Sequence, residues 1–318
     1  SDIDNIKQML KEDKPVIASL APSFVSSFKI DDFSIMCVAL QKLGFAFAEE
    51  TAVGAKLVTQ EYKRLLKDNS YRNFITSACP SVNYMIQMYY PKAIPFLAPI
   101  DSPMVAHGKI IKQCYPDAKV VFIGPCIAKK KEGFHSDVID GVLTFEDLDS
   151  MFKENNIDLN EQDIEPCIND THNKAKFYPI SRGIIKSFNG YSDGYEFVAV
   201  DGIDKCKEVL DNTDSLSGMF LELSACEYSC VNGPCSLITE GSAVKANADI
   251  RRYANKGNTI TDSSTMIDPT QLDLTCNHHR INPAEYEPTA SEIRQILSKT
   301  GKTLPEHELN CGACGYDS

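Results

Sequence analysis

Five short apolar runs stand out from a polar background: Val16–Ala21, Phe74–Ala78, Lys119–Ile123, Phe197–Val200 and Met219–Leu223. Each is strand-length and gives way to a turn, so each predicts a buried strand. Between them, apolar residues recur at helical spacing over Asp31–Leu43, Ser81–Tyr90, Ser102–Cys114, Thr144–Asn155 and Asp204–Asn212. Ser102 is suited to cap its helix, with Pro103 at the first helical position. Strand and helix alternate, which predicts an α/β fold of parallel sheet with crossover helices. Sites in such sheets form at the carboxyl ends of the strands.

From about Gly241 the pattern changes. Arg251–Thr265 reads as polar and irregular, and Thr289-x-x-Glu292 opens a helix running to about Lys299, with Gly301 as its stop. Residues 241–318 are expected to form a C-terminal extension that wraps the core. It would lead into a truncated iron–sulfur module, of which Cys311 and Cys314 are the first two cysteines. The chain begins without methionine and stops just after them, as an excised piece of something longer would.

Composition narrows the class. The 318 residues are 43% hydrophobic and 24% charged, which describes a folded chain with a large core. A net charge of −12 argues against nucleic acid and anionic membrane surfaces as partners. The opening is polar, unlike a signal peptide, and no apolar stretch is long enough to span a bilayer. A cytoplasmic location is expected. Twelve cysteines in such a chain point to metal binding more than to a disulfide framework.

Four of the cysteines, Cys79, Cys126, Cys226 and Cys230, fall where strands give way to turns or helices. Four thiolates arriving from three separated loops make a cage for an iron–sulfur cluster, whereas zinc sites usually show paired Cys-x-x-Cys knuckles. Cys37, Cys114, Cys167 and Cys206 read instead as small buried apolar residues. Lys130 and Lys131 read as solvated charges, and His278-His279 as an exposed polar turn.

The strings around the four cysteines resemble the catalytic domain of the FeFe-hydrogenases over roughly residues 14 to 240. Thr76-Ser-Ala-Cys79-Pro80 is similar to that family's Thr-Ser-Cys-Cys-Pro. Gly124-Pro125-Cys126-Ile-Ala-Lys129-Lys-Lys-Glu132 is similar to its Met-Pro-Cys-x-x-Lys-x-x-Glu. Glu222-Leu-Ser224-Ala-Cys226-Glu-Tyr-Ser-Cys230-Val-Asn232-Gly233 is similar to its Glu-x-Met-Ala-Cys-x-x-Gly-Cys-x-Asn-Gly. The resemblance implies an H-cluster: a 4Fe-4S cubane joined through a cysteine sulfur to a di-iron unit with CO, CN and azadithiolate ligands. Cys79, Cys126 and Cys226 would hold the cubane, and Cys230 would bridge to the di-iron unit. Lys129 and Ser23 would hydrogen-bond cyanide, Pro22, Pro103 and Pro125 would form walls, and backbone N–H groups near Ser102 would face the ligand. The implied architecture is two lobes of mainly parallel sheet, divided near residue 115 of a 1–240 domain, with the metal site between them. The implied partners are H2, protons and an electron-transfer iron–sulfur domain or ferredoxin.

Several residues depart from the family strings. Ala78 stands where the family has a proton-passing cysteine, Ser224 where it has methionine, and Pro234-Cys235-Ser236 where it is glycine-rich. Met104 and Val105 replace a pair of glutamines. These changes spare the ligands and resemble the sensory subgroup, which implies slow turnover and a signalling partner. Ser224 or Cys235 would then offer protons a slower route. The alternative is an iron–sulfur assembly factor related to hydrogenases, which carries the cubane alone.

Overall fold

The computed structural model describes residues 2–68, 70–161, 174–239, 241–256, 272–282 and 289–299. Seven strands lie among them: β1 (Val16–Leu20), β2 (Phe47–Glu50), β3 (Asn73–Ile75), β4 (Lys119–Gly124), β5 (Gly141–Thr144), β6 (Glu196–Asp201) and β7 (Met219–Ser224). They form two sheets, ordered β2-β1-β4-β5 and β3-β7-β6, and every pairing is parallel. Both faces of each sheet are covered. Along β1, Val16, Ala18 and Leu20 enter one core cluster and Ile17 another. Along β7, Phe220 and Leu221 do the same on the second sheet. This double burial is why these strands are continuous apolar runs.

The five predicted strands are present. The apolar pattern does not predict β2 and β5. Both are four residues long, and β2 ends in Glu49 and Glu50, which break the apolar run although both are buried. The predicted helices appear as Phe33–Lys42, Pro80–Tyr89, Pro103–Cys114, Phe145–Glu154 and Ile203–Asp211, each within two residues of its expected ends. Helix Ala52–Lys67, a further addition to the pattern, packs against Pro103–Cys114.

The division at residue 115 is corrected. β1 and β2 belong to the first sheet, β3 to the second, β4 and β5 to the first again, and β6 and β7 to the second. The sheets interleave along the chain because β4 returns to pair with β1, and β7 returns to pair with β3. That return sets the ends of strands distant in sequence side by side.

The break expected at Gly241 does not coincide with the edge of the compact unit, which runs through His279. Helix Ala243–Asn255 explains the difference. Its Ala246, Ile250 and Tyr253 lie at helical spacing and bury into the first sheet's core, while Arg251 and Arg252 face outward. Residues 251–255, read as irregular, are therefore helical. Leu274 joins the second sheet's core. In the second unit, from Arg280, helix Ala290–Lys299 starts as its sequence signal foretold: Thr289 N donates to Glu292 Oε2 at 2.8 Å, and Glu292 N donates to Thr289 Oγ1 at 3.3 Å. Cys167, Gly301, Cys311 and Cys314 lie outside the described residues.

Candidate metal centre

The carboxyl ends of four strands converge between the sheets. The turn after β1 carries Pro22 and Ser23, and the turn after β4 carries Pro125 and Cys126. The segment after β3 carries Ala78 and Cys79, and the loop after β7 carries Cys226 and Cys230. Cys79 is the N-cap of helix Pro80–Tyr89, whose first position is the proline that tolerates a missing donor. The four cysteines, Ala78, Ser224, Pro22, Ser23, Pro103, Pro125 and Lys129 line one cavity of about 120 Å³. Its size suits several waters or a larger group.

Local backbone conformations bring the loops close. Tyr228 and Ser229, between Cys226 and Cys230, both adopt left-handed φ, at 62° and 66°. Neither is glycine, so each carries strain on the order of 1 kcal/mol. The Ser229 hydroxyl meets Ser224 Oγ at 3.1 Å, a bond glycine could not make. Gly233 allows the Cys230 and Cys126 loops to touch, since a Cβ there would sit 2.6 Å from the Pro125 carbonyl oxygen.

Two expected residues lie just off the cavity. Ser102 does not line it; its hydroxyl accepts from Lys129 Nζ at 2.9 Å. Cys235 is buried beside the Cys126 loop, its N–H donating to Pro125 O at 3.0 Å, and does not reach the cavity wall. Lys129 is nearly buried. It also donates to Glu132 Oε2 at 2.5 Å and, at a long 3.4 Å, to Ala78 O.

The donor set fits a multi-iron cluster. Among the described residues no three His, Cys, Asp or Glu side chains converge tightly enough for a single ion. Four thiols spaced around a shared cavity suit a cluster, which itself holds its ligands apart. Burial pushes the Cys226 thiol up to about 12 and Cys230 well above its ordinary value, and the charges of neighbouring cysteines raise both further. Cys126 is raised by burial, with Lys129 opposing. Thiols that discourage one another's ionisation require a cationic group between them to become thiolates. Ser23 gives a second indication: it has no exposure, lines the cavity, and its Oγ has no hydrogen-bond partner among the described residues. A buried hydroxyl left without a partner costs about 1–3 kcal/mol, which a bound acceptor would recover.

Other cysteines and histidines differ in part from expectation. Cys37 is buried in the first sheet's core as expected, and it is also disulfide-bonded. Cys206 is buried as expected, whereas Cys114 is exposed on its helix. His278 is half-buried with Nε2 2.9 Å from Ala98 O, so it is not a free polar turn. Lys130 pairs with Asp147 at 2.9 Å. Sequence reasoning missed Thr51, Ala55 and Tyr178 in the cavity wall, because no motif spacing marks residues that meet only by helix and loop packing.

Among the described residues no helix is long and apolar enough to cross a membrane. Residues 14–234 match the family described as iron only hydrogenase large subunit, C-terminal domain. The periplasmic Fe hydrogenase large subunit of Nitratidesulfovibrio vulgaris is 29% identical over 211 residues, covering 56% of this chain. The chain spans only 50% of the length of that relative. An apo FeFe-hydrogenase from Chlamydomonas reinhardtii superposes with a TM-score of 0.67 at 15% identity, covering 89% of this chain and 100% of that one. A second FeFe-hydrogenase, solved to follow stepwise H-cluster assembly, gives 0.63 at 17% identity, covering 79% and 88%. These two structures share the fold, and the family match spans both sheets and all four cysteines. The chain belongs to the family of the C-terminal domain of iron-only hydrogenase large subunits.

Proposed function

We propose that this chain binds an H-cluster and converts H2 reversibly to protons and electrons, slowly, as a hydrogen or redox sensor. The observation that carries the reading is the shared cavity. Four thiols, a nearly buried ammonium and a buried hydroxyl with no partner among the described residues face one space. Cys79, Cys126 and Cys226 would hold the cubane, and Cys230 would join it to the di-iron unit. When bound, that group supplies the site at which H2 is split or formed, while the chain positions it and manages protons.

Lys129 is held by Ser102 and Glu132, so its charge is aimed before any ligand arrives. Its long contact to Ala78 O is the one that an anionic cyanide would replace. Ser23 would donate to a second acceptor. Pro22, Pro103 and Pro125 close the walls without offering N–H groups, which keeps competing water bonds out. Ala78 has no proton to exchange, and the Ser224 hydroxyl is engaged with Ser229. Both features favour slow turnover, as a sensor that reports hydrogen without consuming it requires. Electron transfer through an iron–sulfur domain or ferredoxin, a signalling partner and a cytoplasmic location complete this reading.

The test is reconstitution with iron and sulfide, then loading with a synthetic di-iron cofactor. Carbonyl and cyanide infrared bands and slow dye-linked hydrogen evolution are expected. Iron counting and EPR on Cys126→Ala should show cubane loss; undiminished cubane would sink the ligand assignment. A cubane with no diatomic bands in the parent would favour the assembly-factor reading.

A further inference from the structure

A buried polar chain leads away from the cavity into the layer between the first sheet and helix Pro103–Cys114. Thr51 lines the cavity, and its Oγ1 lies 2.8 Å from Ser19 Oγ. Ser19 Oγ lies 2.8 Å from His107 Nδ1, and His107 Nε2 lies 3.1 Å from Glu49 Oε2. Ser19 and His107 have no exposure, and Glu49 and Thr51 have 4% and 6%. Ser19 and Glu49 are register partners on β1 and β2, so their side chains share a face, the one covered by the helix that brings His107.

These groups are costly occupants of such a layer. Around them pack Ile17, Met104, Ile111 and Phe122. An imidazole and a carboxylate taken from water into apolar surroundings lose hydration that small apolar side chains would not lose. Continuity is what distinguishes this set from an ordinary satisfied core histidine. One end is at the cavity. At the other, Glu49 keeps 4% exposure and shares its face of the edge strand β2 with Phe47, whose ring packs on the exposed Tyr115 at 5.1 Å.

We infer that Thr51, Ser19, His107 and Glu49 form a proton relay between the cavity and the surface, in place of the thiol missing at Ala78. The inference rests on the reading of the cavity as a hydrogen-converting site. As a proton from the cavity joins the Thr51 oxygen, Thr51 passes its own to Ser19 Oγ. Ser19 passes its proton to His107 Nδ1, and the Nε2 proton moves to the Glu49 carboxylate, which releases it to water. Every O–H or N–H bond broken is matched by one formed, and no electrons move. Rotation of the two hydroxyls and return of the imidazole to its first tautomer reset the chain.

Two measurements test it. The first uses the full chain before any cofactor is added and follows solvent exchange of the His107 imidazole N–H by NMR with labelled histidine. Exchange through Glu49 predicts at least about a tenfold slowing in Glu49→Gln, the scale of one removed acid–base group. Exchange that is unchanged or faster in that variant means the proton escapes by local opening, and overturns the relay. The second uses protein loaded with the synthetic di-iron cofactor. Thr51→Val, which keeps shape and loses the hydroxyl, should lower hydrogen evolution by about tenfold or more with unchanged infrared bands, and Thr51→Ser should restore it. Parental turnover in Thr51→Val with intact bands also overturns the relay. If the parent neither holds the cofactor nor evolves hydrogen, the proposed function falls, and the exchange measurement still decides whether this chain conducts protons.

Discussion

Replacing Gly54 by alanine sets two opposing effects against each other at the cavity's helical wall. Gly54 lies inside helix Ala52–Lys67, where alanine in isolation favours the helix by about 0.8–1 kcal/mol. The added Cβ would stand 2.4 Å from Pro103 O, 2.6 Å from His107 N and 2.7 Å from His107 Cβ. Ordinary contact begins near 3.4 Å, so the two helices would have to part by about 1 Å. Two of the three obstacles are backbone atoms of a buried helix, which cannot rotate aside. Overpacking of this kind costs about 1–3 kcal/mol, and the rigid obstacles place it in the upper half of that range. The clash therefore wins, with a net loss of about 1–2 kcal/mol. In a compact unit of this size each kcal/mol lowers the unfolding midpoint by roughly 2–4 °C. Because Pro103 and His107 both move, cofactor loading should fall as well. Thermal unfolding by circular dichroism, with infrared detection of loading, measures both. A midpoint at or above the parent's, with full loading, would refute the reasoning.

Lys129→Ala removes the ammonium from Glu132 and from the cavity; it should lose about 1–3 kcal/mol of stabilisation for a bound anion and fail to show the parental carbonyl and cyanide bands after loading. Burial raises the Glu222 carboxyl to about 8 in the folded protein, against an ordinary 4.5, so the folded state keeps a proton that the unfolded state has released. Stability should therefore fall as pH rises from about 4.5 to about 8, and Glu222→Gln should flatten that slope in denaturant titrations across this window. Ala78→Cys restores an exchangeable proton at the cavity wall and should raise dye-linked hydrogen evolution; turnover in the parent already as fast as in ordinary hydrogenases would remove the sensor reading.

Much of the centre is legible in the sequence, because its parts are local. Cys79, Cys126, Cys226 and Cys230 each follow an apolar run, and in a parallel sheet the residue after a strand lies at the edge where sites form. Lys129 and Glu132 are three residues apart on one helix turn, so their pairing follows from spacing alone. Tertiary packing decided what depends on elements meeting across the chain. β2 is invisible as a strand because Glu49 and Glu50 interrupt its apolar run, and both are tolerated only because His107, from a distant helix, and Lys176 and Tyr253, from later segments, supply partners. The interleaving of the two sheets is equally hidden. Hydrophobic periodicity reports that a strand is buried but not which neighbour buries it, and only that choice of neighbour brings Thr51, Ser19, His107 and Glu49 into line.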